Sequence, residues 1–115
     1  MPLTEEQYMK ELKKQMTEWR HDLHAHPESA FEEVNTAAFV AKKLEEMGIQ
    51  VETGIGKTGV VGTLKVGDGE RVVGLRADMD CICLQEASDL PYGSQTPNRM
   101  HACGHDGHTA TLLGA

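Results

Sequence analysis

Three imidazoles and a thiol fall within eight residues in the run His101-Ala102-Cys103-Gly104-His105-Asp106-Gly107-His108. Imidazole nitrogen and thiolate sulfur together form a donor set suited to Zn²⁺ and other borderline divalent ions. If the backbone is extended through Gly104, the side chains of His101, Cys103 and His105 point to one side, because strand side chains repeat every two residues. If a helix starts near Asp106, His105 and His108 lie three apart at its beginning and share a face. Gly104 and Gly107 let the chain approach an ion, or take positive φ, without a Cβ penalty. Other readings stay open: Cys103 as a small buried hydrophobe beside surface histidines, or as a nucleophilic or redox thiol activated by an imidazole. A self-contained module closing a mononuclear site with His101, Cys103, His105 and His108 is the alternative to a larger metal-dependent enzyme.

Upstream, Arg76-Ala77-Asp78-Met79-Asp80 sets two carboxylates two residues apart where an apolar run ends. Such carboxylates can ligate a metal, or accept the ring N–H of a ligating histidine and fix its tautomer. The bland counterpart is an acidic turn paired with Arg76. Cys81 and Cys83 form C-x-C with no second pair, so they read as structural thiols. A second histidine group, His21, His24 and His26, reads as helix-terminal or surface residues, since cations complement the dipole at a helix C-terminus.

These residues need elements to carry them. Tyr8, Leu12, Met16, Trp19 and Leu23 recur at helical spacing, predicting a helix from Thr4 to about His24. Thr4 is its N-cap, and Pro27 stops it by disfavouring helical geometry at His26. A second helix is predicted from about Glu33 to Met47, burying Val34, Ala37, Ala38, Ala41 and Leu44, with Gly48 at its C-terminal cap. The period then changes. Ile49 to Thr53 reads as a strand, and Val60 to Val66 with Val72 to Ala77 as an antiparallel hairpin turning at Gly67, Asp68 and Gly69. Residues 81–98, with Pro91, Gly93 and Pro97, form a long connection of the kind that tends to be functional. Thr109 to Ala115 reads as a helix entering a core without a terminal cap, so the expected reading is a cut through a longer chain.

The 115 residues carry a net charge of −7, and all twelve glycines lie at or after Gly48. The acidic balance argues against a nucleic-acid footprint, which wants clustered positive charge, and no apolar window is long enough to span a membrane. Three cysteines, an odd number, read as thiols of a reducing, cytoplasmic compartment.

Four stretches together resemble the N-terminal part of an M20-type metallopeptidase/amidohydrolase: Arg20 to Glu33 (RHDLHAHPESAFEE), Gly74 to Asp80 (GLRADMD), Leu90 to Ser94 (LPYGS) and Met100 to Ala115 (MHACGHDGHTATLLGA). The nearest subgroup contains hippurate hydrolase and the hydrolases of N-acyl and auxin–amino acid conjugates. The resemblance implies an α/β fold: the N-terminal portion of a zinc-peptidase-like catalytic domain, with two leading helices, then strands and a metal-binding loop. It implies that residues 1–115 are one part of that domain, with the remainder and a lid or dimerisation domain elsewhere. It implies amide hydrolysis of small N-acyl amino acids with two divalent metal ions, Zn, Mn, Co or Ni, without nucleic-acid or membrane partners. A homo-oligomer is allowed for the full-length protein without being fixed. Carried over by position, Cys103 and His105 are the implied metal ligands, and Asp78, Asp80, Asp106 and His108 are supporting residues. The general-base Glu and the remaining ligands belong to later sequence, so residues 1–115 alone are expected to be catalytically silent. The segment Asp80-Cys81-Ile82-Cys83-Leu84 lacks the proline the family usually carries there, which concerns loop geometry.

Overall fold

The computed structural model describes residues 2–115. Its elements are α1 (Glu5–Ala25), α2 (Val34–Glu46), β1 (Gln50–Ile55), β2 (Gly59–Thr63) and α3 (His105–Gly114).

Helix α1 begins at a reciprocal capping box: Gln7 N–H donates to the Thr4 hydroxyl, and Thr4 N–H donates to the Gln7 side-chain oxygen. It ends one residue before His26, as Pro27 requires. Its apolar stripe is buried progressively: Tyr8 is exposed, Leu12, Met16 and Trp19 are half-buried, and Leu23 is buried. The end nearest His24 is therefore the end that packs, and α3 packs against it.

Helix α2 is capped from a distance. Glu33 precedes it without capping it, whereas the Glu28 carboxylate accepts from Asn35 N–H at 3.1 Å, and from Thr36 N–H and hydroxyl at 2.6 Å each. Glu33 turns the other way. It accepts from Phe31 N–H, at a residue held at φ 65°, and from the Thr58 hydroxyl, tying the hairpin turn to the loop before α2. Val34, expected in the core, is 67% exposed, and Thr36 and Ala41 are the buried positions of this helix. The Glu28 bonds explain the difference, because they turn the Thr36 edge of the first turn inward.

The hairpin differs from the sequence expectation. Strands β1 and β2 pair with each other, antiparallel, with Gln50 opposite Thr63 and Glu52 opposite Val61. Gly56 and Lys57, both at positive φ, make the reversal, so the Val60 segment is folded back on the preceding strand before Gly67 is reached. Residues 64–80 form no ladder, and Val72 and Val73 are almost fully exposed. An apolar run of this kind needs a strand at each edge, and none lies beside it among the described residues.

The interior is unusual in its chemistry. Among the described residues, six buried apolar residues (Leu23, Ala25, Ala41, Cys81, Ala110 and Leu113) are matched by six buried polar ones (His24, Glu33, Thr36, His101, Asp106 and Thr109). Hydrogen bonding therefore orders this interior as much as apolar contact does. Among the described residues no helix is long and apolar enough to cross a membrane.

Candidate metal centre

The turn that carries the histidine run ends in a helix, not a strand. Gly104 stands at the N-cap of α3 with φ 90° and ψ 12°, a left-handed conformation that side-chain-bearing residues rarely adopt. His105 is the first helical residue and His108 lies one turn on, with ring centroids 5.6 Å apart. Of the two arrangements open from sequence, the helical one is realised.

His105 is held by a residue twenty-five positions upstream. Its Nδ1 lies 3.0 Å from Asp80 Oδ1 and 2.9 Å from the Asp80 carbonyl oxygen. Two acceptors on that side make Nδ1 the protonated nitrogen and leave the Nε2 lone pair free. This is the arrangement in which a carboxylate orients a ligating imidazole. Asp80 itself is positioned by the next residue: Cys81 N–H donates to the Glu28 carbonyl at 2.8 Å, and Ser29 and Cys81 form a parallel bridge. On the other side Ile82 and Met100 exchange both backbone hydrogen bonds, which brings the two ends of the long connection together.

Asp78 sits differently. Its carboxylate binds Arg76 at 3.0 Å on an exposed surface, as the bland reading had it, while its carbonyl accepts from the Thr109 hydroxyl of α3. Cys103 is exposed and free, Cys83 is exposed, and Cys81 is buried. Burial pushes the Cys81 thiol up, against the hydroxyl of Ser29.

His101 does not join a closed cluster. It is buried with neither ring nitrogen hydrogen-bonded, and burial holds its pKa down. Among the described residues no group of three or more His, Cys, Asp or Glu side chains is arranged to hold a metal ion. A four-ligand mononuclear site built from His101, Cys103, His105 and His108 is thus not what this fold assembles. The donor set suits one part of a larger centre: an exposed thiol and, two residues on, an imidazole with its free nitrogen defined by Asp80.

The first histidine group requires a correction. His26 is exposed, its Nδ1 bonded to the Asp22 carbonyl, but His24 is 2% exposed. Its Nδ1 lies 2.8 Å from Asp106 Oδ2 and its Nε2 3.0 Å from Glu86 Oε1. His21 stacks on Tyr92 with centroids 3.7 Å apart and planes 7° from parallel. Arg20 donates to the same Asp106 oxygen at 3.0 Å and to the Tyr92 hydroxyl at 3.3 Å. The end of α1, expected to face solvent, is covered instead by α3 and the 86–94 loop.

Electrostatics follow from these contacts. Burial works against an Asp106 carboxylate, yet His24, the Gly107 N–H, His101 and Arg20 outweigh it and hold its pKa below the ordinary value. Glu86 is also held low, by the hydroxyl of Ser88 first, then by Ser94 N–H and His24. Arg20, Glu86 and Tyr92 were not singled out from sequence, though Arg20 and His24 lie four apart on one face of α1, a spacing that pairs them.

The fold is that of the N-terminal portion of a zinc-peptidase-like catalytic domain. Residues 74–115 match Peptidase family M20/M25/M40, and the chain belongs to that family. It is 57% identical over 94 residues to a hippurate hydrolase of Campylobacter jejuni, covering 82% of this chain and 24% of that protein. It is 46% identical over 104 residues to an N-acyl-L-amino acid amidohydrolase of Geobacillus stearothermophilus, covering 90% and 28% respectively. A crystal structure described as a dinuclear metal-binding peptidase of the M20 family from Bacillus subtilis superposes with a TM-score of 0.86 at 39% identity, over 90% of this chain and 29% of that one. The chain thus spans about a quarter of the length of the curated relatives it matches.

Proposed function

We propose that this chain supplies the first part of the active site of a metal-dependent amidohydrolase that cleaves the amide bond of small N-acyl amino acids, hippurate-like compounds among them. The observation that carries this reading is the hydrogen bond from His105 Nδ1 to Asp80, which leaves Nε2 free two residues from an exposed thiol. Cys103 and His105 would hold one side of a pair of divalent ions, with Asp80 fixing the His105 tautomer. When bound, such ions polarise the scissile carbonyl and acidify water. His105 and Cys103 donate electron pairs, Asp80 holds the ring proton on Nδ1, and Asp106 and Thr109 fix the helix from which His105 projects. The relatives named for hippurate and N-acyl-amino acid hydrolysis support the substrate class, which rests on no residue of this chain.

Two ligands do not complete a dinuclear centre, and hydrolysis also needs a general base. Residues 1–115 alone are therefore silent in this reading. The test is release of benzoate from N-benzoylglycine with Mn²⁺ or Zn²⁺. The whole protein is expected to turn over, to lose activity to a chelator, and to lose it when Cys103 or His105 is replaced by Ala. Turnover by the isolated 115 residues, or chelator-resistant activity of the whole protein, would overturn the proposal.

A further inference from the structure

The geometry points to His24 as a positioning residue for the metal-bearing turn, acting on His105 through Asp106 and on the 86–94 loop through Glu86. This rests on the reading of His105 as a ligand. His24 touches neither His105 nor Cys103 in any hydrogen bond, so its influence has to pass through these two carboxylates.

Each ring nitrogen of His24 faces a different carboxylate, and each carboxylate belongs to a different segment. On one side, Asp106 is the residue after His105, and its side chain is 1% exposed. Successive residues on a helix are rotated by about 100°. Pinning Asp106 inward against His24 and Arg20 therefore fixes the rotation of the first turn of α3, and with it the direction in which His105 leaves the helix. That direction is the one that meets Asp80. On the other side, Glu86 accepts from His24, from Ser94 N–H at 2.9 Å and from the Ser88 hydroxyl. The loop is thus folded around one carboxylate whose position His24 sets. Tyr92 from the same loop closes over His21 and Arg20.

Asp80 has a related anchor. It precedes Cys81, whose N–H is bonded to Glu28 in the turn just after α1. The partners His105 and Asp80 are consequently both registered on the C-terminal end of α1, one through His24 and Asp106, the other through the backbone at Glu28. A loose His24 would let α3 rotate while Asp80 stayed in place, lengthening the contact that defines the ligand nitrogen.

The test measures Zn²⁺ affinity of the whole protein by chelator competition, independent of turnover. His24→Gln keeps a single donor and is expected to weaken Zn²⁺ binding about tenfold or more, the range typical when a residue supporting a ligand is lost. Asp106→Asn is expected to do the same, and the double variant to lose no more than the worse single one, because both act along one route. His26→Gln removes an exposed imidazole at the same end of α1, bonded only within that helix, and is expected to bind Zn²⁺ like the parent. A folded His24→Gln protein with parental affinity, additive losses in the double variant, or an equal loss in His26→Gln would overturn the proposal. Should His24→Gln fail to fold, the ring nitrogens of His24 in the unsubstituted protein decide: their ¹⁵N resonances are expected to shift on Zn²⁺ addition, and unchanged resonances would count against it. His105→Ala separates the two levels. Full Zn²⁺ binding by that variant removes the ligand reading itself, whereas its loss alongside parental binding in His24→Gln removes only the role of His24.

Discussion

His105 Nδ1 stands 3.0 Å from Asp80 Oδ1 and 2.9 Å from the carbonyl oxygen of the same residue. The two contacts are not equivalent. The carbonyl bond defines which nitrogen carries the proton, while the carboxylate adds negative charge that raises the basicity of the opposite nitrogen. Asp80→Asn should therefore preserve the ring orientation in part and weaken the donor. The expected outcome is a loss of Zn²⁺ affinity of about 10–100-fold in the whole protein, by chelator competition. Asp78→Asn, which breaks an exposed pair with Arg76, should change affinity little.

Acid should loosen the clamp from the loop side. Glu86 has a folded-state pKa below its ordinary value of 4.5 because Ser88, Ser94 and His24 all favour the ionised form. A depressed folded value contributes stability that is fully present above the unfolded pKa and lost as pH falls through the folded one. Glu86→Gln should therefore cost stability at pH 7, by about 1.5–3 kcal/mol for bonds to a buried charge. The difference between the two proteins should shrink as pH is lowered below about 4.5. Urea midpoints at a series of pH values check both sign and window; a difference that grows toward acid would contradict the assignment.

The leading helices were legible because their information is local. The Thr4 box, the apolar stripe of α1, Pro27 and Gly48 all act within a few residues. The hairpin differs from its sequence expectation for the opposite reason: Val60 to Val66 alternates equally well against either neighbour, and the turn at Gly56 and Lys57 decides the partner. At the site, the spacing of Asp78 and Asp80 left metal ligation, a bond to a histidine ring and pairing with Arg76 all open, and of these Asp80 makes the bond to His105 while Asp78 pairs with Arg76. His24 could not be read that way. Its partners lie 62 and 82 residues downstream, and an exposed cationic cap and a buried bridge look alike in one dimension.

Gly104 tests how far backbone geometry controls the turn that leads into α3. A Cβ there would meet only the His108 ring at 3.8 Å, so space is not the constraint. The constraint is φ 90°, in a region that costs side-chain-bearing residues roughly 1–2 kcal/mol, less for Asn. Gly104→Ala should lower stability by about that amount and Gly104→Asn by less, read from urea midpoints. Equal losses in the two variants would point to packing instead.

The three thiols should separate by alkylation. Cys81 is 5% exposed with its thiol pKa pushed up by burial, so it should react slowest with iodoacetamide under native conditions. Cys83 and Cys103 are both exposed, and only Cys103 lies beside the His105 donor. Saturating Zn²⁺ should slow Cys103 by tenfold or more in the whole protein, because a coordinated thiolate has committed its electron pair. Cys83 in the same sample should keep its rate. Mass spectrometry of the alkylated peptides reads all three sites at once, which makes Cys81 and Cys83 internal controls. Equal slowing of Cys83 and Cys103 would indicate a general tightening of the fold, and an unchanged Cys103 would remove it from the ligand set while leaving the Asp80–His105 pair intact.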